Sequence, residues 1–270
     1  MLRSRISKLL PKRKPATHKG DYGRVMIVAG SPGMTGAAVL ASRGALRSGA
    51  GLTYLAVPKE LVNFVDPMTP EVITLPFEKI KNIKADVVAA GPGLGVSART
   101  RRIISSLISL PSSLVIDADG LNIIAKDLNL LKRIKEKIIL TPHPGEISRL
   151  INKSIQYVQK NRVKVAKEAA KRFGCIMVLK GHRTVVAAPS GKTFVNPTGN
   201  PGMASGGVGD VLTGMIAGLA GQGMSLWNAA VAGVYLHGLA GDLAAKEKGE
   251  YAMIASDLVD KIPYAIQKIH

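Results

Sequence analysis

Apolar positions along this chain follow two alternating rhythms. Short continuous apolar runs at 25–29, 52–57, 87–90, 114–117, 138–141 and 176–179 read as strands buried on both faces. Longer segments at 35–48, 99–110, 154–173, 208–221, 226–246 and 256–268 place apolar residues at helical spacing. Strands and helices alternating in this way predict an α/β fold, a mostly parallel central sheet covered by helices on both faces. The runs at 183–187 and 192–195, joined by Pro189, Ser190 and Gly191, predict an antiparallel hairpin at one edge of that sheet. No repeat, low-complexity segment or flexible linker interrupts the pattern, so residues 18–270 are expected to form one domain.

Most of the predicted strands end in glycine, proline or polar residues, and in an open α/β sheet ligands bind beyond the carboxyl ends of the strands. The glycine-rich stretch 199–209 is the most informative of these turns. It runs straight into the helical pattern of Val211, Leu212, Met215, Ile216 and Leu219, so a helix is expected to start near residues 207–210. The unpaired first N–H groups of a helix attract an anion such as phosphate, and Gly206, Gly207 and Gly209 carry no side chain to keep it away. Asp210 in that first turn has two readings: a cap or helix-dipole partner, or a base that takes a proton from a hydroxyl attacking phosphorus.

Other turns carry weaker signals. Gly91-Pro-Gly-Leu-Gly95 opens like a dinucleotide fingerprint but has Val96 in the sixth position and no suitably spaced acid. Gly191-Lys-Thr193 ends like a phosphate-binding loop, yet Val186 stands where its first glycine belongs. His143, held between two prolines, is either a structural hydrogen-bonding residue or a substrate contact. Asp117, Asp119 and Glu146 are placed to approach a magnesium ion or its waters, and equally to act as caps. Lys180 and Arg183 suit nucleotide phosphates, with the backbone of residues 180–184 lining an adenine pocket, although surface charge explains either side chain alone. His237 reads as a packed or interface residue.

The charge balance changes the picture of the partners. With 37 Lys and Arg against 18 Asp and Glu, the net charge of +19 points to anionic partners. Aromatics at 4% are too few for the stacking platforms of single-strand binders, so a polyanionic small molecule is favoured over a specific nucleic acid. The lone Cys175 cannot form an internal disulfide, which suits a reducing, cytoplasmic setting. No apolar run is long enough to span a bilayer. Residues 1–17 are expected to form a solvated basic arm, eight basic residues and one acid falling between Met1 and Arg24.

Taken in order, His18-Lys-Gly-Asp-Tyr-Gly-Arg-Val25, Gly30-Ser-Pro-Gly-Met-Thr-Gly-Ala37, Gly91-Pro-Gly-Leu-Gly95, Asp117-Ala-Asp-Gly-Leu-Asn122, Thr141-Pro-His-Pro-Gly-Glu146, Lys180-Gly181 with Thr184, and the glycine loop ending at Asp210 form a set. This set resembles the ADP- or ATP-dependent NAD(P)H-hydrate dehydratases of the ribokinase-like superfamily, from about His18 to Pro263. The resemblance implies a repair reaction in which the ring hydroxyl of hydrated NADH or NADPH (NADHX or NADPHX, S-epimer) is phosphorylated and phosphate is then lost. It implies Asp210 as base, contacts to the hydrated cofactor from Ala37, Gly93, His143 and Asp210, and a nucleotide side formed by Lys180, Gly181, His182, Arg183, Thr184, Gly206, Gly207 and Gly209. ADP or ATP with Mg2+ is the implied co-substrate. It further implies a homo-oligomer, commonly a tetramer in such proteins, with the small-residue helix at 229–245 as candidate interface, and a separate epimerase in place of an N-terminal epimerase domain. A kinase acting on a thiazole or pyrimidine alcohol would share the base and the glycine loop, and a nucleic-acid-binding protein is the rival suggested by charge.

Overall fold

The computed structural model describes residues 2–10, 13–134 and 137–270. Among these, nine strands form a single sheet: β1 (Arg24–Val28), β2 (Leu52–Val57), β3 (Ile73–Pro76), β4 (Val87–Ala90), β5 (Ser113–Ile116), β6 (Ile138–Leu140), β7 (Ile176–Leu179), β8 (Val185–Ala187) and β9 (Thr193–Val195). Their spatial order is β3-β2-β1-β4-β5-β6-β7-β8-β9. All pairs up to β7 are parallel, and β8 and β9 return antiparallel at the edge, as the pattern predicts. The helices, in chain order, are α1 (Leu2–Ser7), α2 (Thr35–Arg47), α3 (Val62–Val65), α4 (Ala98–Leu107), α5 (Ala118–Lys126), α6 (Asn129–Lys132), α7 (Pro144–Ile151), α8 (Ile155–Lys160), α9 (Arg162–Phe173), α10 (Val208–Gly221), α11 (Leu226–Lys248) and α12 (Ala255–Ile269).

Side chains of each strand alternate between two cores, which is why the strand sequences are continuously apolar. In β1, Val25 and Ile27 join α2, α10, α11 and α12 on one face. Met26 and Val28 join α4, α5, α7 and α9 on the other. The strand order reverses between β1 and β4, so the loops after those two strands diverge and leave a crevice at their carboxyl ends.

Helix α10 is buried almost all round and lies against α2, α11 and the centre of the sheet. Small residues allow this. A side chain at Gly214 would occupy the carbonyl of Ala41, and a Cβ on Gly44 would lie 2.5 Å from the carbonyl oxygen of Val211. The close α2–α10 contact fixes where the first turn of α10 stands, and hence where Asp210 is held.

Several expectations are corrected. Strand β3 escapes the apolar pattern because it is a short edge strand ending in Pro76, a residue tolerated where no inner neighbour needs its N–H. The helix expected at 154–173 is two helices: Asn161, at φ −124 and ψ 30, breaks it and turns its side-chain amide back to the Tyr157 carbonyl at 3.0 Å. The basic arm is anchored, since Ile6 and Leu10 enter the core and Arg13 donates to the Gly49 carbonyl at 2.8 Å while lying over the Tyr22 ring. Lys12, counted among its basic residues, lies outside the described residues. The small residues of α11 are used inside the subunit: Gly233 admits Ile216, Gly238 admits Thr198 and Gly241 admits Met203, so that face is not open to a partner. Among the described residues no helix is long and apolar enough to cross a membrane.

Candidate active site

Helix α10 begins at Val208, as its apolar spacing predicts, with Gly207 at its N-cap in the left-handed region (φ +86). No side chain caps this end, so its first N–H groups are available to a ligand. The three glycines have different reasons to be there. Gly207 is required by its positive φ and by Leu40, whose side chain a Cβ would strike. A Cβ on Gly209 would sit 3.4 Å from Lys180 Nζ. Only Gly206 faces open space, with nothing within 4 Å of the place its Cβ would take.

Around Asp210 the fold gathers charged groups from four elements. Asp117, at the turn from β5 to α5, is 1% exposed. It accepts from Lys180 Nζ on one carboxylate oxygen and from the Thr213 hydroxyl, at 2.7 Å, on the other. Lys180 Nζ also lies 4.0 Å from Glu146 Oε2. Burial, reinforced by the negative charge of Asp117 and partly offset by Lys180, pushes the Asp210 carboxyl up to about 7. Burial pushes Glu146 to about 7 as well, with Lys180 opposing. Two acids therefore titrate near neutrality, the range in which a carboxylate serves as a base.

The three acids considered for magnesium are committed elsewhere. Asp117 holds Lys180 and Thr213. Asp119 accepts the Gly95 N–H at 2.8 Å. Glu146 accepts the His143 N–H at 2.7 Å. Among the described residues no group of three His, Cys, Asp or Glu side chains is placed to hold a metal. His143 is the N-cap of α7 and forms a capping box with Glu146, so the segment read as a loop is a helix start. Its Nδ1 accepts from the Gly145 N–H at 2.9 Å, which leaves the proton of the neutral ring on Nε2. Burial and the nearby Lys180 hold His143 below its ordinary pKa, and its Nε2 lies 3.3 Å from Glu146 Oε1.

A cavity of about 710 Å³ opens beside α10. Lys180, Gly181, His182, Arg183, Thr184 and Gly209 all line it, so six of the residues expected on the nucleotide side converge. Gly206 and Gly207 lie outside its lining. Ala37 and Gly93 meet instead at the crevice between β1 and β4, where a Cβ on Gly93 would be 3.1 Å from the Ala37 Cβ and 2.9 Å from the Met34 carbonyl oxygen. Gly93 is thus required first by the packing of two loops, and by its φ of +62.

The sequence pattern does not single out Thr213 or Arg162, and it marks Asn196 only as the start of the stretch that ends at Asp210. Arg162 donates to the carbonyls of Leu179 and Lys180 at 3.0 and 3.1 Å and holds the loop that lines the cavity. Asn196, 4% exposed, bonds the carbonyl of Val234 at 2.9 Å across the cavity wall. Thr213 alone had a readable signal, standing on α10 three residues after Asp210 and so on the same helix face. His237 is packed, as expected, its Nε2 2.9 Å from the Val208 carbonyl oxygen, and burial lowers it to about 4.

A family model described as NAD(P)H-hydrate dehydratase matches residues 25–264. The chain belongs to the NAD(P)H-hydrate dehydratase family. The ADP-dependent (S)-NAD(P)H-hydrate dehydratase of Bacillus subtilis is 35% identical over 264 residues, covering 94% of this chain and 92% of that one. The structure of an ADP/ATP-dependent NAD(P)H-hydrate dehydratase from the same organism, co-crystallised with ATP and Mg2+, superimposes with a TM-score of 0.88 at 31% identity over 99% of this chain and 97% of that one. A ribokinase-like protein of Enterococcus faecalis gives 0.89 at 28% identity, covering 99% and 94%. The bifunctional NAD(P)H-hydrate repair enzyme of Moorella thermoacetica is 42% identical over 278 residues, covering 96% of this chain and 52% of that one. This chain therefore spans about half the length of several curated dehydratase-family relatives it matches.

Proposed function

We propose that this chain restores NADH or NADPH from the hydrated cofactor at the expense of ADP or ATP. The reading is carried by one observation: Asp210 stands in the first turn of an uncapped helix beside a cavity of nucleotide size. The names of the relatives in the same family support the substrates.

The nucleotide occupies the cavity, its base and ribose along residues 181–184 and its terminal phosphoryl group turned to the start of α10. The hydrated ring enters from the crevice bounded by Ala37 and Gly93, and the Nε2–H of His143 donates to it. Asp210 takes the proton of the ring hydroxyl as the hydroxyl oxygen bonds to phosphorus and the nucleotide departs one phosphoryl group shorter. Backbone N–H groups at the head of α10 hold the charge that develops on the phosphoryl oxygens. Phosphate then leaves the ring carbon, the neighbouring carbon loses a proton, and the double bond of the reduced nicotinamide is re-formed. Hydroxide would leave far more slowly, which is what the phosphoryl transfer overcomes.

Magnesium fits this site as a partner of the nucleotide, since it binds readily to phosphate oxygens while keeping several waters, and the local carboxylates are already engaged. When bound it offsets phosphate charge.

The test is to mix purified chain, magnesium and hydrated NADH with ADP or with ATP, and to follow the near-ultraviolet absorbance of reduced nicotinamide. Nucleotide-dependent recovery with release of phosphate is expected. A stable phosphorylated product without reduced nicotinamide would instead make the chain an alcohol kinase.

A further inference from the structure

The cluster behind Asp210 is unbalanced in charge. Asp117 from the β5–α5 turn, Glu146 from α7 and Asp210 from α10 surround one ammonium group, that of Lys180 at the end of β7, and Asp119 from α5 adds a further negative charge near Asp210. The nearby guanidinium of Arg162 is taken up by backbone carbonyls, and that of Arg149 by the Asn122 side chain at 3.1 Å. Lys180 is fixed at both ends: its N–H donates to the Pro142 carbonyl at 2.8 Å, and its Nζ is held by Asp117. Asp117 is clamped in turn by Thr213, one turn beyond the base on the same helix. Ala118, directly after Asp117, takes a left-handed conformation (φ +45) that a residue with a Cβ rarely adopts, so the chain accepts strain at the turn that sets this carboxylate.

We propose that Lys180 is a positioning residue for the base: Thr213 and Asp117 form a relay that fixes its ammonium, and the positive charge of that ammonium offsets the acids around Asp210 so that the carboxylate there is available to accept a proton. Lys180 touches the cavity wall, but its ammonium is committed to the acids and lies against Gly209, the residue before the base. A side chain at position 209 would press on it, which gives that glycine a reason beyond admitting phosphate. The inference rests on the reading of Asp210 as base.

The experiment is the pH profile of kcat/KM for the parent, Lys180→Met, Asp117→Asn and the double variant, with the nucleotide KM measured at each pH. Removing the cation is expected to move the acidic limb of Lys180→Met to higher pH by about one unit or more, with much of the rate returning above it. Asp117→Asn moves the limb the other way, and the double variant, which removes one charge of each sign from the cluster, falls between. Lys180→Arg keeps the charge and restores the parental limb. A limb that stays in place in Lys180→Met while the nucleotide KM rises would overturn the proposal and make Lys180 a phosphate ligand. Should Lys180→Met fail to fold, the limb of the double variant, expected above that of Asp117→Asn, decides the matter, and equal limbs in those two reject it. Should the parent not turn over hydrated NADH, the functional reading fails separately. Carboxyl 13C titration of Asp210 in the same proteins then reads the same order of midpoints, and coincident midpoints for parent and Lys180→Met refute the relay.

Discussion

Gly44→Ala tests whether the α2–α10 contact sets the position of Asp210, the proposed base. Gly44 lies within α2, so helix propensity alone favours alanine by about 1 kcal/mol. Against this, the new Cβ would stand 2.5 Å from the carbonyl oxygen of Val211 and 3.2 Å from its carbon. Carbon and oxygen in ordinary close contact are about 3.3 Å apart, so the helices must separate by roughly 0.8 Å. The neighbour is backbone and cannot rotate away. Overpacking of this kind costs about 1–3 kcal/mol, and a gap of that width forfeits a sizeable part of the dispersion attraction along the interface. The balance is a net loss of about 1–2 kcal/mol, which in a chain of this size lowers the melting temperature by roughly 2–8 °C. Because Val211 follows Asp210 directly, the same displacement moves the base, and kcat falls by about tenfold to a hundredfold. Calorimetric melting and initial rates read the two effects. Gly36→Ala serves as control: it lies in the same helix, but nothing stands within 4 Å of the added methyl, and its melting temperature is expected to match or exceed the parent's. A Gly44→Ala protein that melts at or above the parent temperature with unchanged kcat would refute the reasoning.

Asp210→Asn is expected to retain nucleotide binding by calorimetry and to lose turnover by several orders of magnitude; activity within a few-fold of the parent would exclude Asp210 as base. Its stability has a definite sign. A carboxyl whose pKa is raised on folding binds more protons folded than unfolded between about 4 and 7, so its contribution falls as pH rises through that window. The ligand-free parent should therefore melt below Asp210→Asn at pH about 8, and the difference should narrow as pH falls and close towards about 4; equal melting curves at both values would contradict the shift. Gly206→Ala fills open space and should melt like the parent while reducing turnover, because its methyl competes with the phosphoryl oxygens. Retained turnover would show that the anion sits elsewhere along α10. Arg162→Ala frees the carbonyls of Leu179 and Lys180 and should raise the nucleotide KM while altering kcat little, as initial rates at varied nucleotide concentration would reveal.

Sequence by itself determined the architecture and which turns border the candidate site. Continuous apolar runs such as that of β4 could only be buried on both faces, and the apolar spacing after the glycine loop put the start of α10 at residues 207–210, the range in which it falls. Those signals are local: each depends on the period of a single segment. The residue set that resembles the dehydratase family likewise lies in loops that parallel topology delivers to one edge of the sheet.

Tertiary structure alone decided what the acids do. Asp117 and Lys180 are 63 residues apart in sequence, and no spacing rule joins them. Whether Asp117 would meet a metal, a helix end or an ammonium depended on which strand ends were neighbours. Gly93 and Gly207 also owe their identity to distant residues, Met34 and Ala37 in one case and Leu40 and Ala255 in the other. The small residues of α11 offered two uses, inside a subunit or between subunits, and only the placement of Ile216, Thr198 and Met203 against them chose the first. The raised pKa of Asp210 belongs to the same class, because burial and the charges of Asp117, Lys180 and Glu146 arise only when four separate elements close around it.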